Sequence, residues 1–435
     1  MKPIRIAILT LVSALLLVSQ SRRSYPPDRI WWGANQSGTL PATEDYDNAD
    51  GMVGIINADG AVNPVGHAFF EALGTNGRAC ITCHQPSNAM SVSVEAIQGR
   101  WRETGGTDPV FAAIDGSDCP SLPQDKASSH SLLLNRGLFR INAAWPPKGV
   151  APDFQLEVVR DPTGCNLDPK YGLKGAAAMV SVFRRPRAAA NLTHLTTGVD
   201  GEPSGILLMA DGREASLKTQ ALGAILGHEQ ADHQPTKQQL EQIVAFESRI
   251  SASQSADIRG GMLTEPNAPA FLGPERVAGK IAPLPGWEQH VGPELAQLQK
   301  DFRASVARGS QVFFRGKNSC VSCHNQAKGA VPMDIGTVNL PSPATDSPMP
   351  VFKASCKDGR IVYTQDPGRA LVTGKCSDIG AIVMQQLHGL ASRAPYFSNG
   401  SAATLADVVD FYNKRYAAGY TEQEKRDLVN FLKVL

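Results

Sequence analysis

The sequence predicts a mainly α protein of two lobes, with a loop-rich insertion in the first. Three observations lead there. The pattern C-x-x-C-H occurs twice, beginning at Cys80 and at Cys320, so each half of the chain carries one copy. Apolar residues in the longer patterned stretches recur at helical spacing, and strand-like alternation is scarce. Residues 105–175 are crowded with turn formers and follow neither period.

Length and composition set the frame. A chain of 435 residues exceeds one ordinary domain. At 42% hydrophobic and 19% charged it builds packed cores, which excludes wholesale disorder. Lys+Arg number 42 and Asp+Glu 41, a net charge of +1, so the basic stripe that nucleic acid requires is not predicted. Forty Gly and 30 Pro make the chain turn-rich without approaching collagen or low complexity.

The elements follow in order. Lys2 and Arg5 precede an apolar run from Ile6 to Val18, broken only by Thr10 and Ser13. A membrane-spanning helix needs about 20 apolar residues, so residues 1–21 read as a cleaved export signal, with an uncleaved anchor as the alternative. Residues 22–56 are polar, hold Pro26, Pro27 and Pro41, and read as an extended leader. The first lobe covers 57–253 and includes the 105–175 insertion. Residues 254–290, rich in Gly and Pro, read as a linker, and 291–435 as the second lobe. In the first lobe Leu240, Ile243, Val244 and Ile250 mark a helix over 237–250. Residues 294–314 predict an amphipathic helix leading into the second C-x-x-C-H. In the tail, Thr421 and Glu424 form a capping-box pattern ahead of the stripe Leu428, Val429, Leu432 and Leu435.

Cys80-Ile-Thr-Cys83-His84 and Cys320-Val-Ser-Cys323-His324 carry the chemistry. Two thiols one helical turn apart can add to the two vinyl groups of one porphyrin, and the adjacent imidazole then reaches the iron. A zinc site would want paired C-x-x-C units or further His spacing nearby, and a dithiol redox motif has no need of the His. Two covalently bound haem c groups are therefore predicted, on His84 and His324, and the lobes become c-type cytochrome lobes. Covalent attachment outside the bacterial cytoplasm agrees with the export signal and places the protein in the periplasm. Cys119, Cys165, Cys356 and Cys376 remain. Their simplest pairing is local, Cys119 with Cys165 and Cys356 with Cys376, with free buried thiols as the alternative.

Further stretches resemble the bacterial di-haem cytochrome c peroxidase and MauG superfamily. Ala394-Pro395-Tyr396-Phe397-Ser398-Asn399-Gly400-Ser401, Ala403-Thr404-Leu405 and Val408-Val409-Asp410-Phe411-Tyr412 are similar to the family's C-terminal run. Asp211-Gly212-Arg213, Ser216-Leu217 and Gln220-Ala221-Leu222 are similar to its first-lobe run, and Arg184-Arg185-Pro186-Arg187 through Asn191 to the segment before that. Asn76-Gly77-Arg78-Ala79-Cys80 is similar to a cytochrome c-like branch of the family.

The resemblance implies one haem that reacts with peroxide and one that relays electrons. The relay haem belongs to the second lobe, and Tyr412 falls at the MauG-type tyrosine ligand, with His388, Met384 and Met333 as rivals. Helical spacing independently puts Tyr412 on the face of Leu405, Val408 and Val409. His388 stands where the family has a residue near a haem propionate. The reactive haem is the one on His84, and Phe183 stands where the peroxidases carry a mobile His ligand, which implies an open iron. Gln220 matches the distal Gln. Gln230 matches the distal Glu by strict counting, with His228 and Glu229 beside it. Leu217, Ala221, Ala224 and His228 share one helical face, so His228 is the preferred proton-handling residue. Asn191 matches a residue near a calcium ion. The family's Trp before Asp-Gly-Arg is Ala210 here, which leaves Trp101, Trp145 or another aromatic to bridge the haems.

The implied function is a periplasmic di-haem oxidoreductase, peroxidase-like, using hydrogen peroxide or oxygen and a small redox protein as partner. The alternatives are a non-catalytic electron-transfer cytochrome, and an oxygenase or protein-modifying enzyme of the MauG and rubber oxygenase type.

Overall fold

The computed structural model describes residues 31–196, 207–284, 287, 295–315, 319–324, 331–343 and 346–435. The export signal, the alternative anchor and the start of the leader lie outside these residues, as does part of the linker. No helix among the described residues is long and apolar enough to cross a membrane.

Two apolar cores are built largely by helices. One gathers Phe69, Phe70, Ile81, Ala221, Ile225, Leu240, Ile243 and Phe246. Its helices are Leu217–Gly227, whose N-cap is Ser216, and Lys237–Arg249, closed by a capping box between Thr236 and Gln239. The other core packs Gln297–Phe314 against Glu422–Lys433. The tail capping box forms as its spacing predicts: Thr421 N donates to Glu424 Oε2 at 2.8 Å, and Glu424 N donates to Thr421 Oγ1 at 3.2 Å. Leu428, Leu432 and Leu435 are buried in this core. The two helices approach so closely at Gly309 that a Cβ there would strike the Asp427 carbonyl.

A third core corrects the expectation of a mainly α chain. The architecture is mixed, 31% helix and 18% strand. Strand Phe154–Arg160 of the insertion pairs antiparallel with Val351–Cys356, which pairs with Ile361–Thr364, and Ile361–Thr364 in turn pairs with Asn339–Leu340. A second insertion strand, Phe139–Ala144, pairs with Met179–Arg184. Phe154, Leu156, Val180, Val182, Phe352 and Ala354 fill the space between them. The insertion is thus joined by backbone hydrogen bonds to the second half of the chain. The sulfurs of Cys119 and Cys165, and of Cys356 and Cys376, lie at bonding distance, with Cα separations of 5.1 and 5.9 Å. Both pairs are the local ones that the spacing suggests.

The leader also departs from expectation. Thr43–Asn48 and Gly51–Asn57 form a hairpin, and the second strand pairs with Ile250–Asp257. The third strand lies across the expected boundary between first lobe and linker. Hydrogen bonding of backbone groups that would otherwise be buried unpaired explains the sheet.

Candidate functional site

Both C-x-x-C-H sequences fold as a single helical turn. His84 N donates to Cys80 O at 3.1 Å, and His324 N to Cys320 O at 2.8 Å. All four thiols are free. In the first copy the turn sets Cys80, Cys83 and His84 on the wall of one cavity.

Each histidine is buried and oriented through backbone. His84 Nδ1 lies 3.0 Å from Met90 O, so the neutral ring donates there and keeps the Nε2 lone pair free. Burial holds its pKa below the ordinary imidazole range. Burial pushes His324 down to about 4, opposed by a bond to the Gln385 backbone. Neutral imidazoles fixed this way suit iron ligation.

His84, Cys80 and Cys83 line a cavity together with Gln220, Ala221, Ala224 and His228 of the helix Leu217–Gly227 and its cap. Leu217 lines it too, so the face inferred from helical spacing is the face turned to the cavity. His228 ends that helix with its N–H on Ala224 O at 2.7 Å, and Asn76 Nδ2 donates to its carbonyl at 2.8 Å. Its ring Nδ1 meets Asp115 Oδ2 at 2.5 Å.

Other sequence-derived residues fall elsewhere. Gln230 is exposed and outside the cavity, its side chain hydrogen-bonded to Asn76. Counting along the helix fails there because the helix ends at Gly227 and Gln230 turns left-handed, at φ 55°. Asn191 Oδ1 accepts from Ala252 N, and its Nδ2 donates to Ala252 O and Gln386 Oε1. Protein partners thus occupy the side chain, and nothing among the described residues supports calcium there. Phe183 is buried in a small cluster with Leu132, Leu138 and Met349 and does not line the cavity. Ala210 lines it, but Trp101 packs on Phe111 and His130 and Trp145 on Phe154, and neither lines the cavity.

Tyr412 stands near the second C-x-x-C-H and is half-buried. Burial first, then Cys320, Tyr416 and Cys323, push its hydroxyl well above the ordinary phenol range. Its ring stacks on Tyr416, with centroids 6.1 Å apart. Among the rivals, His388 Nδ1 lies 3.3 Å from Ser253 Oγ, and Met333 sits in a short strand paired with Ile382. Met384 lends its carbonyl to Arg187.

Several charged residues were not anticipated. Arg185 and Arg187 line the cavity, and burial lowers them to about 9 and about 10; Arg393 is lowered to about 10. Their hydrogen bonds among the described residues run to main-chain carbonyls and the Gln385 amide, not to carboxylates, and Arg393 Nε has no partner among those residues. Buried guanidiniums without acids call for an anion. Glu229 and Glu247 also line the cavity, pushed up by burial to about 7 and about 8. Glu229 faces Cys80, and Glu247 Oε2 has no hydrogen-bond partner among the described residues. Glu247 was legible in principle, since it continues the stripe of Leu240, Ile243 and Val244 on an otherwise apolar helix face.

This donor set fits haem c: two thiols, a neutral buried imidazole, an apolar wall and cations for carboxylates. The segment that carries Gln385 serves both sites, since Gln385 lines the first cavity and its backbone holds His324.

Comparison with known proteins agrees. No family model matches the chain. A cytochrome-c peroxidase of Denitromonas iodatirespirans is 32% identical over 155 residues, 30% of this chain and 40% of that protein. A cytochrome-c peroxidase of Pseudomonas sp. (strain SCT) is 30% identical over 144 residues, 30% of this chain and 39% of that one. The chain thus spans less than half the length of these curated relatives. Among solved structures, a MauG-like protein associated with microbial copper homeostasis covers 59% of this chain and 76% of its own, at 17% identity and a TM-score of 0.35. Kuenenia stuttgartiensis hydrazine synthase covers 79% and 93%, at 14% identity and a TM-score of 0.34. The sequence relatives support the resemblance to the di-haem cytochrome c peroxidase and MauG superfamily, at modest identity.

Proposed function

We propose that the chain is an exported, periplasmic di-haem c-type oxidoreductase that reduces hydrogen peroxide. One observation carries the reading: a single cavity brings His84 and its two cysteines together with His228 and Gln220. Cys80, Cys83 and His84 would hold one haem c, and Cys320, Cys323 and His324, together with Tyr412, would hold the other. Haem in the first cavity would supply a redox-active iron to which peroxide is exposed.

The remaining chemistry belongs to side chains. His228 has Nδ1 engaged by Asp115, so Nε2 is the nitrogen free to take a proton from peroxide and hold it. Gln220 offers an amide that can donate or accept beside it. Arg185 and Arg187 neutralise haem carboxylates. Electrons enter from a small redox protein through the second site, and the shared segment around Gln385 connects the two sites.

The test is a spectral titration of the purified ferric holoprotein with hydrogen peroxide, followed by turnover with a reduced small cytochrome or copper protein. A high-spin component that responds to stoichiometric peroxide is expected. Wholly low-spin haems inert to peroxide would overturn the peroxidase reading and leave an electron-transfer cytochrome. Turnover with oxygen rather than peroxide would instead favour an oxygenase.

A further inference from the structure

The insertion was the one stretch whose shape the sequence did not give. It delivers a buried carboxylate to the cavity. Asp115 is 3% exposed, and its Oδ2 lies 2.5 Å from His228 Nδ1. Its other oxygen pairs with the guanidinium of Arg78, itself 2% exposed. Burial alone would raise the Asp115 carboxyl; Arg78 and His228 overcome this and hold it below the usual range, so it is an anion. All three side chains line the cavity that holds His84.

Arg78 and the turn that carries Asp115 are both held by backbone. Arg78 Nε donates to Pro109 O, and another guanidinium nitrogen to Val110 O, each at 2.6 Å. Arg140 N donates to Asp115 O at 2.8 Å, and its Nε to Ile114 O at 3.0 Å. Gly116 follows where a Cβ would strike the Val110 carbonyl. Nearby, Asp118 accepts from Leu132 N at 3.0 Å, and the Cys119–Cys165 pair ties this turn to the rest of the insertion. The carboxylate therefore sits on a braced turn, and its position dictates the imidazole tautomer: Nδ1 carries the hydrogen and Nε2 the lone pair.

We propose that Asp115, locked by Arg78, is the positioning residue of His228, so that the insertion is part of the proton-handling device. This rests on the reading above that His228 serves peroxide. Only a proton moves in the step. The O–H bond of hydrogen peroxide breaks, an N–H bond forms at Nε2, and the resulting imidazolium is stabilised across Nδ1–H by the Asp115 carboxylate. Asparagine at 115 would present an amide that can donate to Nδ1, favouring the tautomer with Nε2 already protonated.

The experiment uses the ferric holoprotein and two probes, hydrogen peroxide and hydrogen cyanide. Cyanide sheds its proton on binding and so reports the same base without turnover. His228→Ala should slow association of both probes by about 10²-fold or more, the usual scale of a lost general base. Asp115→Asn should slow them by a comparable factor, and the double variant should lose no more than either single one. Added imidazole should restore rate to His228→Ala and not to Asp115→Asn. Rates within about twofold of wild type in Asp115→Asn would overturn the proposal, as would losses that multiply in the double variant, which mark a general structural effect. A wild-type protein that binds cyanide but ignores peroxide sinks the peroxidase reading alone, and the cyanide rates still decide the role of Asp115. A protein inert to both probes overturns both.

Discussion

Glu247 shows how far a single residue reports on its surroundings. Its carboxyl is buried against the cavity and pushed up to about 8, from an ordinary 4.5, by loss of solvent. The folded chain thus favours the neutral acid. That contribution to stability is complete below the ordinary Glu range and is lost as pH rises through about 8. Glu229, pushed up to about 7, acts in the same direction slightly earlier. Thermal midpoints should therefore fall as pH rises from about 4.5 to about 8, and Glu247→Gln should remove the later part of that fall while leaving the share due to Glu229. A pH series of melts on both proteins checks this, and parallel curves would show that Glu247 is not responsible. Tyr412 makes the complementary case. A phenol whose hydroxyl is held above the ordinary range resists ionisation unless a cation lies against its oxygen. Tyr412→Phe should alter the ferric absorption spectrum and potential of the second-lobe haem while sparing the first. An unchanged spectrum would remove Tyr412 as a ligand. The thiols and imidazoles of both C-x-x-C-H sequences were legible because they stand within five consecutive residues of the chain. Asp115, Arg78 and Arg393 were not, because each acts on a group distant in sequence and no local pattern records that contact.

At the scale of elements, legibility followed periodicity. The tail helix was readable end to end, since capping box and apolar stripe lie within one run of residues. What the run does not show is Asp427. It is 2% exposed and accepts from Ser305 Oγ at 2.5 Å and from Arg308 Nε at 2.8 Å, so it fastens the tail to the helix Gln297–Phe314. Asp427→Ala should cost about 1–3 kcal/mol, because the Ser305 hydroxyl is left buried without its acceptor while Arg308 can turn to solvent. Chemical denaturation with an unchanged slope and a lower midpoint is the expected result. The strands were harder to read. Phe154, Leu156 and Val158 do alternate with polar residues, but the run is short and its partner, Val351–Cys356, lies nearly 200 residues on. A strand half-buried by a distant partner carries little signal of its own, so the insertion read as loop.

At the scale of the whole molecule, the question is whether the two halves that carry the C-x-x-C-H sequences behave as one body. The sheet that joins Phe154–Arg160 to Val351–Cys356 crosses between them. So does a buried ionic cluster. Arg184 donates to Asp366 Oδ2 at 2.6 Å and Oδ1 at 2.8 Å, and to Asp211 Oδ2 at 2.7 Å, with all three side chains at most 3% exposed. Asp211 would be raised by burial, but Arg184 and Arg213 hold it below the usual carboxylate range. Asp211 belongs to the first half and Asp366 to the second, so one guanidinium holds both. Arg187 adds to the link by donating to Val383 O at 2.8 Å, and Gln386 by donating to Ala190 O at 2.6 Å. These contacts predict a single cooperative unfolding transition, with bands from both haems lost together. Arg184→Ala leaves Asp366 buried without its cation and Asp211 with Arg213 alone, a change that costs about 3–5 kcal/mol. The cost falls on the contact between the halves rather than on either helical core. Calorimetry of the variant should therefore show the transition lowered and split, with one haem band lost before the other. A variant that still melts in one step, merely at lower temperature, would show that the sheet alone holds the halves together.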